Sequence, residues 1–121
     1  MNGYQQYKDQ AVHTMTKSEL LQLVYSELLK RLTRAEMAID AEQMDIFDES
    51  VSRSIEIVQY LMKTLDFNYP ISKELSRMYQ FFHYELNRAK AGRNKEILQE
   101  LRPLIIELRD TFLEAGKRCG Y

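Results

Sequence analysis

Thr16-Lys17-Ser18-Glu19-Leu20-Leu21-Gln22-Leu23-Val24-Tyr25 is the stretch on which the fold turns. The Thr16 hydroxyl can accept the amide of Glu19 while the Glu19 carboxylate returns to the amide of Thr16, the reciprocal pairing of a capping box. Met15 and Leu20 stand where a hydrophobic staple would set the angle at which the chain enters a helix. Beyond them Leu21, Val24, Leu28, Leu32, Ala35 and Ile39 recur every three or four residues, the period of one helix face. A first helix near residues 17–41 follows.

The same period continues outward. Phe47, Val51, Ile55, Val58, Met62 and Leu65 predict a second helix over about 44–66. It stops before Pro70, which disfavours helical geometry at Tyr69. Ser72 is the predicted cap of a third helix carrying Leu75, Met78 or Tyr79, Phe82, Leu86 and Ala89, with Gly92 as its left-handed stop. Asn94 is the predicted cap of a fourth, with Leu98, Leu101, Ile105, Leu108, Phe112 and Ala115 on one face. Pro103 lies inside that helix and removes a backbone donor, which predicts a bend near Arg102. Short connections make successive helices antiparallel, so the fold class is all-α, an antiparallel up-down four-helix bundle over residues 16–121. Residues 1–15 stand apart: Tyr4, Tyr7, Ala11 and Val12 form only a weak stripe, expected of a mobile arm or a short docking helix.

Composition narrows the function. Seventeen Lys and Arg against eighteen Asp and Glu leave a formal net charge of -1, with no field to draw in nucleic acid or an anionic membrane. Cys119 is the only cysteine, so no intrachain disulfide or cysteine metal cluster can form, and a reducing compartment fits. No apolar run approaches the roughly 20 residues of a membrane span, and the polar start Met1-Asn2-Gly3-Tyr4 is unlike a signal peptide. A cytosolic protein without membrane insertion is expected.

Catalysis finds no carrier. Bundles that hold two metal ions use Glu-x-x-His pairs on facing helices. Gln10 precedes His13 and Gln80 precedes His83 at that spacing, so no metal or cofactor is expected. Histidine phosphotransfer domains place a Lys three residues after the histidine and a Gly after that, where this chain has Leu86 and Asn87. Acids such as Asp48 and Glu49, or Glu107 and Asp110, are interspersed with bases as on a solvated face. No Gly-rich phosphate loop and no activated nucleophile is present. The chain is expected not to be an enzyme.

A surplus of apolar residues points to binding instead. Leu20, Leu23, Tyr25 and Leu29 lie outside or at the margin of the first stripe. Ile57, Tyr60 and Leu61 widen the second, and Phe81 and Tyr84 join Met78, Tyr79 and Phe82 on the third. Helices that touch two neighbours need wide stripes, so any one of these residues is as readily core as surface. As a set they suit an apolar groove for an amphipathic helix, covered until then by the arm bearing Tyr4 and Tyr7.

These residues resemble the flagellar export chaperone family, FliS, over nearly the full length. Tyr4-Gln5-Gln6-Tyr7 followed by Val12 matches the family's aromatic-rich arm. Thr16 to Tyr25 matches its Ser/Thr-Pro-x-x-Leu-x-x-x-Leu-(Tyr/Phe) opening, with Lys17 in place of the Pro and Ser26-Glu27 in place of the usual Asp/Asn-Gly. Leu61 to Asp66 is similar to its Leu-x-x-x-Leu-Asp, Leu75 to Tyr79 to its Leu-x-x-(Leu/Met)-Tyr, and Leu86 to Ala89 to its Leu-x-x-Ala. Leu108 to Phe112 resembles a stretch that usually has Trp where Phe112 stands.

The resemblance implies that the partner is flagellin. Its disordered C-terminal segment would be captured as helix, kept from polymerising in the cytosol and presented to the flagellar type III export gate. Leu20, Leu23, Val24, Leu61, Leu65, Met78, Tyr79 and Phe82 are the expected groove residues, and Tyr4, Tyr7 and Val12 those of the arm. On this reading Leu61→Asp weakens cargo binding and leaves helicity largely intact. A monomer or weak dimer is expected. The competing expectation is a self-associating helical interaction or regulatory module without exported cargo.

Overall fold

The computed structural model describes residues 15–119, with side chains through Glu114. Four helices follow one another: α1 (Lys17–Asp40), α2 (Met44–Lys63), α3 (Ser72–Gly92) and α4 (Lys95–Cys119). Among the described residues there is no strand. Each helix packs against the one before and the one after, and α1 closes the ring against α4.

Cross-helix pairs establish that neighbours run antiparallel. Between α1 and α4, Ser18 donates to the Phe112 carbonyl, Arg102 pairs with Glu36, and Lys95 pairs with Asp40 at 2.8 Å. As one number rises the other falls. Between α2 and α3, Gln59 meets His83 at 3.4 Å and Arg93 meets Asp48 at 3.3 Å. The expected up-down-up-down bundle is what the chain forms.

The Thr16 cap is in place, its hydroxyl accepting the Glu19 amide at 3.1 Å. At the other end of α1 the amides of Glu42 and Gln43 return to the carbonyls of Ile39 and Ala38. This is a Schellman closure, and Glu42 takes the left-handed conformation it requires, with φ 58°. The turn between α3 and α4 repeats the device one residue later than the sequence predicts. Arg93, not Gly92, is left-handed, with φ 48°. Placing the reversal at 93 lets the Asn94 amide reach the Ala89 carbonyl while its side chain accepts the Glu96 amide at 3.0 Å, so Asn94 caps α4 as expected.

Two other boundaries differ from expectation. α2 ends at Lys63 rather than near 66, because Asp66 turns the chain: its carboxylate accepts the Asn68 amide and its carbonyl accepts the amide of Tyr69. Ser72 does not cap α3. It lies inside the first turn, buried, and donates its hydroxyl to the Asp66 carbonyl, while Ile71 precedes the helix without a side-chain cap. α4 runs unbroken through Pro103.

The core collects Leu28, Leu32 and Ala35 of α1, Phe47, Val51 and Val58 of α2, Leu75, Leu86 and Ala89 of α3, and Leu98, Leu101 and Ile105 of α4. Tyr25 and Leu29, apolar surplus in the sequence, are also core. On α2 the buried face includes Ser50 and Ser54, with Ser54 donating to the Ser50 carbonyl at 2.9 Å. With a helix turning about 100° per residue, those serines extend the buried face on one side, and Leu61 falls between them while Met62 lies toward the other side. Leu61 is 1% exposed. The expectation that Leu61→Asp would spare the fold is therefore corrected, since it places a charge in the core.

Two outcomes follow. Leu61→Ala should lower the unfolding free energy by about 2–5 kcal/mol in urea titration followed by circular dichroism. Glu42→Gly, which relieves a side chain in the left-handed region, should raise it by about 0.5–1 kcal/mol in the same assay.

Candidate binding surface

The expected groove residues divide by depth. Tyr79 and Phe82, each 1% exposed, join Leu61 in the core, so these three of the eight offer no surface. The face of α3 that turns inward is set by Leu75, Tyr79, Phe82, Leu86 and Ala89, and both aromatic rings lie on it. Leu20 and Val24 on α1, Leu65 after α2 and Met78 on α3 are half-buried, and Leu23 is 43% exposed. Tyr4, Tyr7 and Val12 lie outside the described residues.

A groove brings part of this set together. Leu23 and Val24 of α1 face Ile57 and Tyr60 of α2 across a shallow depression of about 410 Å³. The i, i+3 spacing of Ile57 and Tyr60 puts both on one side of α2, and Val24 and Ile57 also pack against the core. Glu27 and Glu56 border the groove. Each is matched along its own helix, Glu27 by Arg31 at 3.2 Å and Glu56 by Arg53 at 3.0 Å. Exposed pairs of this kind hold side chains in place more than they add stability.

Other apolar side chains stand open beyond the groove. Phe67, Tyr69 and Ile71 project from the α2–α3 connection, with Phe67 the most exposed at 65%. The Lys17 ammonium sits 4.5 Å from the centre of the Tyr69 ring, so this connection lies against the start of α1. Phe81 and Tyr84 are exposed on α3, where the Arg88 guanidinium lies 5.8 Å from the Tyr84 ring. A small domain rarely leaves this much aromatic surface open without a use for it.

Residues 1–119 of the 121 match the family model described as flagellar protein FliS. The chain belongs to the FliS family. It is also similar to the flagellar secretion chaperone FliS of Bacillus subtilis (strain 168), with 28% identity over 114 residues, which cover 94% of this chain and 86% of that protein.

Two lining residues of the groove, Ile57 and Tyr60, are absent from the expected set although the sequence marks both as surplus. The signal that would have found them is their position beside Glu56, an acid that keeps that side of α2 toward water. Leu23→Ser and Tyr60→Ser should each cost less than about 1 kcal/mol of stability by urea unfolding. A cost equal to that of Leu61→Ala would mean that these side chains are core.

Proposed function

We propose that this FliS-family chain is a cytosolic export chaperone, not an enzyme. In this reading it holds the disordered C-terminal segment of flagellin as helix, prevents premature polymerisation and presents the cargo to the flagellar type III export apparatus. The observation that carries the reading is the family match over residues 1–119, together with the flagellar secretion chaperone among its relatives. The open apolar surface supports it physically. A segment that folds on binding loses conformational entropy and needs an extended apolar face in return. The groove of Leu23, Val24, Ile57 and Tyr60 is too small to supply that alone, and Phe67, Tyr69 and Ile71 extend it toward the start of α1.

Leu20, Leu65 and Met78, half-buried, are the further contacts on this reading. Leu61, Tyr79 and Phe82 would act from beneath, as the packed wall against which the surface residues are held. Tyr4, Tyr7 and Val12 would cover the surface until cargo displaces them. No described helix is long and apolar enough to cross a membrane, which agrees with a protein that meets its cargo in the cytoplasm.

Fluorescence anisotropy with a labelled flagellin C-terminal segment tests the proposal. Binding by the full chain, weakened at least tenfold by Leu23→Asp with an unchanged unfolding midpoint, is the expected result. A constitutive oligomer indifferent to the segment, by light scattering, would overturn it in favour of a self-associating module.

A further inference from the structure

A second groove, separate from the one between Leu23 and Tyr60, follows the C-terminal half of α1. It has a volume of about 820 Å³ and takes its walls from α1, from the start of α2 and from Arg109 of α4. Its lining runs from Ser26 on α1 to Ala41 just past the end of that helix, a length of roughly 22 Å at 1.5 Å per residue, or about four helical turns. Leu29, Met37 and Ile46 give it an apolar floor. Met37 is 67% exposed, the highest value among the large apolar side chains described.

Charge distinguishes this groove from the first. Lys30, Arg34 and Arg109 line it, and no acid does, whereas Glu27 and Glu56 border the other groove and no base does. Lys30 and Arg34 stand one turn apart on α1, and neither has an ion-pair partner among the described residues. Arg109 lies 3.5 Å from the carboxylate of Asp110, its neighbour in the chain. The cations of most other ion pairs are matched within a helix or across two helices, as with Arg31, Arg53, Arg88 and Lys95. Lys63, Lys73 and Lys90 are likewise without an ion pair among the described residues, but Lys30 and Arg34 line a groove, and they precede its most exposed large apolar side chain, Met37, along α1.

From this geometry we infer that the groove docks an acidic amphipathic helix of another protein. About four turns of that helix would lie along α1, with apolar side chains over Leu29, Met37 and Ile46 and carboxylates toward Lys30, Arg34 and Arg109. An unbranched Met suits the repacking such a contact demands. Nucleic acid fits less well. The floor is apolar, three cations make a weak phosphate track, and the chain carries a net charge of -1.

The test uses the full chain labelled with ¹⁵N and two synthetic helical peptides of sixteen residues. Both carry Leu at i, i+3, i+4 and i+7, with Glu at the flanking positions of one and Lys at those of the other. The acidic peptide should shift the amide resonances of Lys30, Thr33, Arg34, Met37 and Ile46, and bind at least tenfold more tightly than the basic one. Lys30→Glu with Arg34→Glu, both at exposed positions, should reverse that preference with the thermal midpoint unchanged. Equal binding of the two peptides, or shifts centred on Leu23, Ile57 and Tyr60, would overturn the inference. So would a duplex oligonucleotide that displaces the acidic peptide from this groove. None of these results bears on flagellin binding, which the Leu23→Asp variant tests separately.

Discussion

Two tyrosines from diagonally opposite helices meet at the centre of the bundle. Tyr25 of α1 and Tyr79 of α3 are almost entirely closed to solvent, and their hydroxyls lie 2.5 Å apart. A buried hydroxyl that loses water must find a partner, and here each supplies the other. The Tyr25 ring also lies against Phe112 of α4, with centroids 6.0 Å apart. One side chain thus ties α1 to both α3 and α4, and sliding α1 against α3 by a turn would strand two buried hydroxyls in the core. Ser18, buried one layer out and donating to the Phe112 carbonyl, holds the same register at the end of the bundle.

With the register held there, the surplus apolar residues separate. Tyr25 and Leu29 turn inward, while Leu23 turns outward and meets Tyr60 across the α1–α2 seam. α1 therefore has three duties. It fills the core, it shares an acid-bordered groove with α2, and along its other flank it lines a cation-bordered one. Its long mixed sequence, in which no single stripe accounts for every leucine, reflects those duties.

Much of the fold was legible because it depends on local rules. Thr16 and Asn94 cap the helices they were expected to cap, and the α4 stripe from Leu98 to Phe112 is buried with Ile97 added, Ala115 lying outside the described side chains. The failures have physical causes. Ser50 and Ser54 are polar by composition and buried in fact, so an apolar stripe drawn without them rotates α2 and puts Leu61 on the surface. Gly92 is the residue most able to turn left-handed, but the geometry that delivers Asn94 to α4 assigns that turn to Arg93. Ser72 has the chemistry of a cap, yet its hydroxyl is drawn to the Asp66 carbonyl by a connection whose path no local rule specifies. The surface was legible in kind and less so in place: Leu23 and Val24 line the groove, whereas Tyr79 and Phe82 lie beneath the surface of α3.

The closure of α1 against α4 also governs how the protein comes into being. These two helices share as extensive a contact as α1 and α2 do, yet they stand at opposite ends of the described chain. A contact between distant segments forms only after the loop between them has lost its freedom. During synthesis α1, α2 and α3 are made before α4, the helix that brings Phe112 against Tyr25. Tyr25 therefore meets Phe112 only when almost all of the described chain is present, and closing the core is a late step of folding.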